Sequence, residues 1–486
     1  MISYRKSVTF FLLLLGLCTL SLQAENQFSI SGDNQIKYIY RAAEDSLKNY
    51  FTDELKFTLN YNQLTFGMGF KAYLPKYDQY QAIDELSPSQ ISYIWDERFV
   101  SPDKDTYFFQ AGTFEESFGS GMVLRAWNDK DMDRDKRLEG ALIRYTPEYV
   151  NLKLIYGALR NDIADQQIFK NDIITGLDAE YKVFSGIKLG MSALQYKQKE
   201  ATSSYLAYNH RNIYAGRASF LNDIFDINTE YAEIRYEHNA PVNYRGHAFY
   251  NTNNIFLGPI TLSAAYKKYY QYNYNLADLP SLNHYDQLLS SIANIKSEEG
   301  LSGEIRYIPN MTHETAIHYS EAWNNNFKIR FSNFFVEYKY NTDTYSVQTE
   351  YEHIETKDQP ANSWEKEIHP VLTFDFYTLP MPLTIKTKWG IKDFTHGEDK
   401  ATLQQPYIQA DLKLNENLSV SVISELEFNE DDSNSWVGGE IKTAIGEHSE
   451  LKLFAGKEKG GKVCRNGVCK YQTPFEGVRV ELSTNF

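Results

Sequence analysis

A charged stretch in which carboxylates recur at every second position is the most chemically suggestive part of the sequence. Asp129, Asp131, Asp133 and Asp135 carry the oxygen ligands that Ca²⁺ prefers. A calcium-binding loop also needs a glycine at its sixth position and an acidic residue at its twelfth. Counted from Asp129, those positions hold an arginine and a glycine, and basic neighbours compete for the same carboxylates. We therefore predict no metal site and no cofactor.

The same stretch fits a loop that folds into the lumen of a β-barrel and narrows it with opposed charges. We predict this loop at residues 114–138, the third outward connection, with two glycines that let the backbone bend inward. The alternative is a solvated surface loop whose charges keep it in water. The residues predicted to form the constriction are Glu115, Glu116, Gly119, Gly121, Arg125, Asp129, Asp131, Asp133 and Arg134.

Two cysteines flank an Asn-Gly pair, the strongest signal for a two-residue hairpin turn. If Arg465 pairs with Val468, Cys464 and Cys469 form the next cross-strand pair, at a spacing that suits a disulfide. Export would make oxidation the expected state. Closing so short a loop contributes only about 2 kcal/mol, so we interpret the bond as a staple on an exposed hairpin.

Enzyme motifs are absent from the sequence. Gly119-Ser120-Gly121 lacks the five-residue nucleophile elbow. After His313-Glu314, the zinc-protease pattern needs a second histidine where Ile317 stands. We therefore predict that the chain is not an enzyme.

The elements that would position these residues alternate with a period of two. Ile408, Ala410 and Leu412 share one face of a segment whose other face carries Gln409 and Asp411. Such segments of about 9 to 13 residues have the length of tilted transmembrane strands. The pattern recurs along the chain and predicts 20 to 24 strands, with 24 the best count, in a single closed antiparallel all-β transmembrane barrel. The strand predicted at 90–97 lies in the least regular stretch.

Connection lengths separate this fold from a soluble β-sandwich, which alternates too. Tight turns such as Asn62-Gln63 and Gly446-Glu447-His448 alternate with longer connections, as in bacterial outer-membrane barrels. The sequence therefore predicts all long loops on the outer side and both termini in the periplasm. The long connections are predicted at 41–49, 75–89, 114–138, 160–171, 198–210, 274–299, 357–365, 394–405 and 459–475.

The first residues predict export. Arg5 and Lys6 precede an apolar run from Val8 to Leu20 and a small-residue site ending at Ala24, the layout of a cleaved signal peptide over residues 1–24. Its removal would move the formal net charge from −15 to −17. So acidic a chain, without a separate basic patch, is not expected to bind nucleic acid. The remaining residues, 25–486, show no linker and are predicted to form one barrel.

The final strand ends in Phe486, which resembles the terminal aromatic signal that hands outer-membrane barrels to their assembly machinery. The stretch from Ala111 to Gly140, together with Gly460-Gly461-Lys462 and the cysteine hairpin, resembles a family of uncharacterised outer-membrane proteins from Bacteroidota and related bacteria. The resemblance implies an outer-membrane barrel and no assigned substrate. No plug-sized segment precedes the first predicted strand, which disfavours an energised siderophore transporter.

Two functions follow as hypotheses. The first is a passive, porin-like channel for cations or small polar solutes, based on the net charge and the charged third loop. The second is a non-conducting barrel that binds an exported or surface partner with long loops such as residues 274–299. Both imply contact with outer-membrane lipid and lipopolysaccharide, and with the barrel assembly machinery during biogenesis.

Overall fold

The fold is taken from a computed structural model of the chain. It describes residues 28–42, 48–74, 92–104, 106–129, 134–159, 172–197, 210–237, 244–272, 274, 276–284, 297–324, 328–378, 380–397, 399–429, 432–465, 468–472 and 474–486. The backbone alone is described at 92–97, 103–104, 129, 134, 237, 244, 461–465 and 468–472. The predicted signal peptide lies outside these residues and stays a prediction.

A single sheet of 24 antiparallel strands forms the body of the protein. Its strands are β1 (Phe28–Arg41), β2 (Asn49–Tyr61), β3 (Leu64–Leu74), β4 (Ser92–Lys104), β5 (Tyr107–Phe114), β10 (Leu138–Tyr145), β11 (Val150–Leu159), β12 (Ile173–Phe184), β13 (Ile187–Lys197), β14 (His210–Leu221), β15 (Phe225–Glu237), β16 (Tyr244–Leu257), β17 (Ile260–Tyr270), β18 (Glu298–Asn310), β19 (His313–Asn324), β20 (Ile329–Asn341), β21 (Tyr345–Asp358), β22 (Ser363–Phe376), β23 (Leu383–His396), β24 (Asp399–Lys413), β25 (Leu418–Phe428), β26 (Ser433–Ile445), β27 (Ser449–Glu458) and β30 (Phe475–Asn485).

Three short hairpins lie in the described parts of the loops. They are formed by β6 (Glu116–Phe118) with β7 (Leu124–Ala126), β8 (Asn128–Asp129) with β9 (Arg134–Asp135), and β28 (Gly461–Arg465) with β29 (Val468–Gln472). The described residues contain no helix long and apolar enough to cross a membrane.

The barrel closes where its first strand pairs with its last. Asp33 pairs with Asn485 and Arg41 with Gly477 in an antiparallel register. At the end of this seam, Gly32 and Phe486 exchange backbone hydrogen bonds of 2.7 and 3.0 Å. No edge strand is left in the main sheet, as a membrane-spanning sheet requires. The predicted closed barrel and its best count of 24 strands are confirmed.

The two faces of the barrel wall differ as the alternation predicts. On β15, Glu230, Ala232 and Ile234 are buried on the inner face, whereas Tyr231 between them is exposed on the outer face. The same outer face carries exposed Trp389 and Ile408 elsewhere around the barrel. Because directly paired residues of neighbouring strands point to the same side, the pairing register assigns inner and outer faces around the whole wall.

Long and short connections leave opposite ends of the barrel, as predicted. The tight turns at Asn62, Gly186, Gly258 and Gly446 all contain a residue with positive φ. The connections 75–91, 115–137, 160–172, 198–209, 271–297 and 459–474 leave the other end. Which end faces the periplasm stays a prediction.

Two predicted long loops are wrong. The connections expected at 357–365 and 394–405 are instead strand for most of their length, with β21 and β22 joined across 359–362 and β23 and β24 across 397–398. His396 pairs with Asp399 at the tip of the second hairpin. A strand that projects beyond the membrane can carry charge on both faces, so charged residues are compatible with strand here.

The strand predicted at 90–97 runs from Ser92 to Lys104. Pro102 lies within this strand although proline lacks the N–H that a ladder needs. On one side of β4, Pro102 pairs with Leu64 of β3. On the other side, the pairing with β5 includes Val100 and Asp103 but skips the two residues between them, one of which is Pro102. The chain therefore tolerates the proline as a local gap in the ladder.

Candidate functional site

The third loop, residues 115–137 between β5 and β10, packs against the inner face of the wall. Its hairpin of β6 and β7 alternates like a barrel strand: Phe118 and Leu124 are a buried cross-strand pair, and the next pair, Ser117 and Arg125, points the opposite way. Phe118 lies against Ile155 on β11 and Gly176 on β12. Burial of this apolar face holds the hairpin inside the barrel.

Glu116 ties the start of the loop to the wall by charge. Its carboxylate accepts hydrogen bonds from Arg144 Nε on β10 at 2.7 Å and from Lys153 Nζ on β11 at 2.9 Å. Lys153 also donates to the carbonyl of Ser117 at 2.8 Å. The Glu116 side chain is only 5% exposed, so these charge-assisted bonds form away from bulk water. This predicted constriction residue therefore faces the wall.

The tip of the loop rests on a buried carboxylate. The Ser120 backbone N–H donates to Glu230 Oε2 on β15 at 2.8 Å. Gly119, at φ +57°, lies so close that a Cβ there would be 2.6 Å from the Glu230 carboxylate. Gly121 follows at φ +97°. Glycine meets both demands, the left-handed backbone and the close approach.

A second buried ion pair lies in the wall beneath the loop. Arg217 on β14 makes a two-pronged contact with Asp178 on β12, at 2.8 and 2.9 Å. Ser192 on β13, between them, donates to Asp178 Oδ1 at 2.6 Å. We call the inner face of β10–β17, where the loop packs, the covered wall.

The connection between β17 and β18 also folds inward and clamps the third loop. The Arg125 N–H donates to the Leu276 carbonyl at 2.7 Å, and the Asp278 N–H donates to the Gly121 carbonyl at 3.0 Å. Arg125 and Asp278 also form a salt bridge of 2.6 Å. Tyr272 donates to the Met122 carbonyl at 3.0 Å. These bonds join the two loops into one inward assembly.

Two tyrosines of this second loop are buried in the assembly. Burial raises the pKa of Tyr272 well above its usual value and raises the pKa of Tyr274 as well, since a phenolate would lose its hydration. Tyr274 packs edge-on against Tyr196, with ring centroids 6.3 Å apart. Further along, the His284 ring meets Phe335 on β20 edge-on, with centroids 3.9 Å apart. The loop that we expected to present an outward surface is thus internal over its described residues from 272 to 284.

The predicted constriction residues are only partly gathered at the pore side. Arg125 points away from the wall, 43% exposed, and stacks over Trp127 at 4.4 Å. Glu115 is exposed and accepts a hydrogen bond from the Asn128 N–H at 3.3 Å. Asp129 and Arg134 are described only as a backbone pair. Asp131 and Asp133 lie outside the described residues, so the constriction itself stays a prediction.

Sequence reasoning missed the residues that hold the assembly in place. Glu230 and Arg217 stand on alternating strands where any inner-face polar residue gives the same pattern. Asp278 lies in the loop predicted at 274–299, which was expected to face outward, and Tyr272 stands just before the predicted start of that loop. The one available signal was the density of tyrosine around residue 270, which exceeds what a solvated loop needs.

The inner face of β22–β25, which we call the open wall, carries half-exposed ion pairs. Lys392 bridges Glu365 and Glu367, at 3.0 Å to the latter. Lys459 bridges Glu425 and Glu427 at 3.2 and 2.6 Å. Within the described ranges, no group of three or more His, Cys, Asp or Glu side chains is placed to hold a metal ion.

The cysteine hairpin has the predicted backbone register. Cys464 pairs directly with Cys469, and Arg465 with Val468. Their side chains are not among those described, so the disulfide stays a prediction. Phe486 completes the seam with Gly32 through backbone bonds, and its role in assembly also stays a prediction.

A closed β-barrel with an apolar outer face is the form in which chains cross bacterial outer membranes, and this chain is an outer-membrane barrel. It resembles the E. coli P pilus tip assembly intermediate PapC-PapD-PapK-PapG at 9% identity and a TM-score of 0.58, covering 94% of this chain and 60% of that chain. The chain thus spans about 60% of that protein's length. At this identity the likeness concerns the fold alone.

Two further structures align with lower TM-scores. They are the P pilus usher (PapC) translocation pore, at 8% identity and 0.47 over 94% of this chain and 99% of that one, and the siderophore receptor PirA from Pseudomonas aeruginosa, at 9% and 0.48 over 94% and 80%. No curated protein matches the sequence. The model of a family of unknown function, DUF6029, matches residues 5–350. Since that match covers well over half of the sequence, this barrel belongs to DUF6029.

Proposed function

We propose that the protein is a passive outer-membrane channel for small polar solutes, which favours cations over anions. The observation that carries the proposal is the third loop, bonded inside the barrel by Glu116 and Glu230. A loop held in this way narrows a lumen without filling it. The half-exposed charges of the open wall would then line the remaining path.

Cation preference is proposed from the charge of that lining. The register of β22–β25 assigns more acidic than basic side chains to the inner face. A lining with excess negative charge raises the local concentration of cations. The acidic residues are Glu365, Glu367, Asp375, Asp399, Asp411, Glu425 and Glu427, and the lysines are Lys386, Lys388, Lys392 and Lys413.

Planar bilayer recording tests the proposal. Folded protein, recognised by a shift in gel migration between unboiled and boiled samples, should give steps of conductance. A salt gradient should give a reversal potential of cation sign. Silent bilayers from folded protein would contradict the channel and favour the non-conducting binding barrel, whereas a reversal potential of anion sign would overturn the selectivity alone.

A variant pair tests the role of the third loop in the same recordings. Glu230→Ala removes the acceptor for the Ser120 N–H and should raise the conductance of each step, because the loop tip is released. The control is Glu350→Ala on the inner face of β21, which removes a carboxylate that accepts a hydrogen bond from Gln348 at 2.6 Å. No described residue of the third loop contacts this carboxylate. This variant should not increase the conductance of each step. Equal conductance in both variants would contradict a constriction set by the loop.

A further inference from the structure

A groove of about 420 Å³ indents the barrel wall across β22–β25. Six of its lining residues are Pro370, Leu372, Trp389, Pro406, Ile408 and Leu426. Groove volumes of this order accommodate small ligands. The groove lies apart from the inward loops, and it shares only inner-face residues such as Lys388 with the lining of the channel proposed above.

Two prolines explain why the wall is indented here. Between β22 and β23 the ladder runs through Ile368 and Ile391, then resumes at Val371 and Lys388, passing over Pro370. Between β24 and β25 it runs through Gln404 and Phe428, then resumes at Tyr407 and Glu425, passing over Pro406. Proline has no N–H to donate. At the level of these two prolines, the hairpin of β23 and β24 therefore has fewer hydrogen bonds to β22 on one side and to β25 on the other.

The groove opens on the outer face. Pro370 pairs with Tyr351, an exposed outer-face residue, and Pro406 pairs with Trp389. Trp389, Ile408 and Leu426 are all exposed on that face. Inner-face residues reach only the floor of the groove, where Lys388 and Tyr407 contribute to the lining. In the membrane, this side of the wall meets lipid.

We propose that this groove is a binding site for one acyl chain of an outer-membrane lipid. The occupant follows from the surroundings: the groove is apolar, it faces the hydrocarbon layer, and the membrane lipids are the molecules with continuous access to it. An acyl chain in the groove makes van der Waals contacts with the wall where the two ladders are interrupted. The site would hold one lipid more firmly than the surrounding wall does.

Fluorescence quenching by a brominated lipid tests the site in detergent-solubilised full-length protein. The probe is phosphatidylcholine with bromine on one acyl chain, and the signal of Trp389 is the wild-type emission minus that of Trp389→Phe. Quenching of Trp389 should saturate near equimolar lipid. The matched control is an indole introduced by Val437→Trp in the Trp389→Phe background. Val437 is an exposed outer-face residue directly paired with Ser424 of the groove, and its quenching should rise only in proportion to total lipid.

Native mass spectrometry gives a second readout on Ser424→Trp and Val437→Trp, each made in the wild-type background so that Trp389 stays in place. Ser424→Trp fills the groove and should lose the retained lipid, whereas Val437→Trp should keep it. Equal quenching curves for Trp389 and the Val437→Trp indole would overturn the site. Saturation with a brominated free fatty acid but not with the phospholipid would overturn a membrane lipid as the occupant.

Discussion

Ion pairs on the covered wall and on the open wall meet very different amounts of water. Arg217 and Asp178 beneath the inward loops are 13% and 2% exposed, whereas Lys392 and Glu365 on the open wall are 29% and 38% exposed. Each pair joins a basic and an acidic side chain of the inner face, and the loops make the difference. Buried pairs depend on one another for solvation, whereas water solvates the exposed ones. The same inner-face pattern is thus shielded from water beneath the inward loops and solvated on the open wall.

Breaking one pair on each wall gives the largest expected contrast. Arg217→Ala leaves Asp178 buried without its cation and should lower the free energy of unfolding by about 3–5 kcal/mol. Lys392→Ala should cost about 0–1 kcal/mol, because water solvates the remaining carboxylates. Urea unfolding of the detergent-folded barrel measures both. Equal losses in the free energy of unfolding would show that ion pairs on the covered wall and on the open wall contribute alike to stability.

Gly119→Ala tests whether the loop is held against the covered wall. A left-handed backbone costs alanine about 1–2 kcal/mol, and the added Cβ would also displace the Glu230 carboxylate. Gly446→Ala is the control, since Gly446 has φ +68° in a tight turn with nothing within 4 Å of an added Cβ. Gly119→Ala should be the more destabilising in urea and should alone raise conductance. A loss no greater than that of the control would contradict the close contact.

Two tyrosines sharpen the comparison within the covered region. Tyr272→Phe removes the hydrogen bond to the Met122 carbonyl and should cost about 1 kcal/mol. Tyr274 has a buried hydroxyl for which no hydrogen-bond partner is found among the described residues, so Tyr274→Phe should be neutral or slightly stabilising. Urea unfolding curves of both variants, measured side by side, compare their losses in the free energy of unfolding. A larger loss for Tyr274→Phe would show that its hydroxyl is bonded.

The smallest effect on stability is expected at the edge of the inward assembly. Arg125 and Asp278 are 43% and 41% exposed, so Arg125→Ala should cost less than about 1 kcal/mol. It should still increase current fluctuations, because it loosens the contact between the two loops. Arg330→Ala, which breaks an exposed pair with Glu321 of 2.7 Å on the outer face, should leave the current unchanged. Unchanged current fluctuations in both variants would show that the pair of Arg125 and Asp278 does not influence the pore.

The sequence was sufficient for the elements of this fold but not for its interior. Alternation and turn residues predicted the 24 strands because each signal is local, and the same is true of the bounds of the third loop. The hairpin around His396 was predicted as a long loop, because its charged tip carries no apolar alternation. The contact of Ser120 with Glu230 joins positions 110 residues apart. No local pattern specifies which inner-face carboxylate will meet a loop tip, so the anchor emerged only from the structure.

The seam between β1 and β30 has a consequence for the order in which the barrel is made. Its partners, such as Asp33 and Asn485, lie at opposite ends of the described chain, whereas every other neighbouring pair in the wall is joined by a turn or a loop. Closure therefore comes after the rest of the sheet has formed, since distant contacts are the slowest to find. Until then, two unpaired strand edges are open to other chains. Folding intermediates of this protein should accordingly be the species most prone to aggregate.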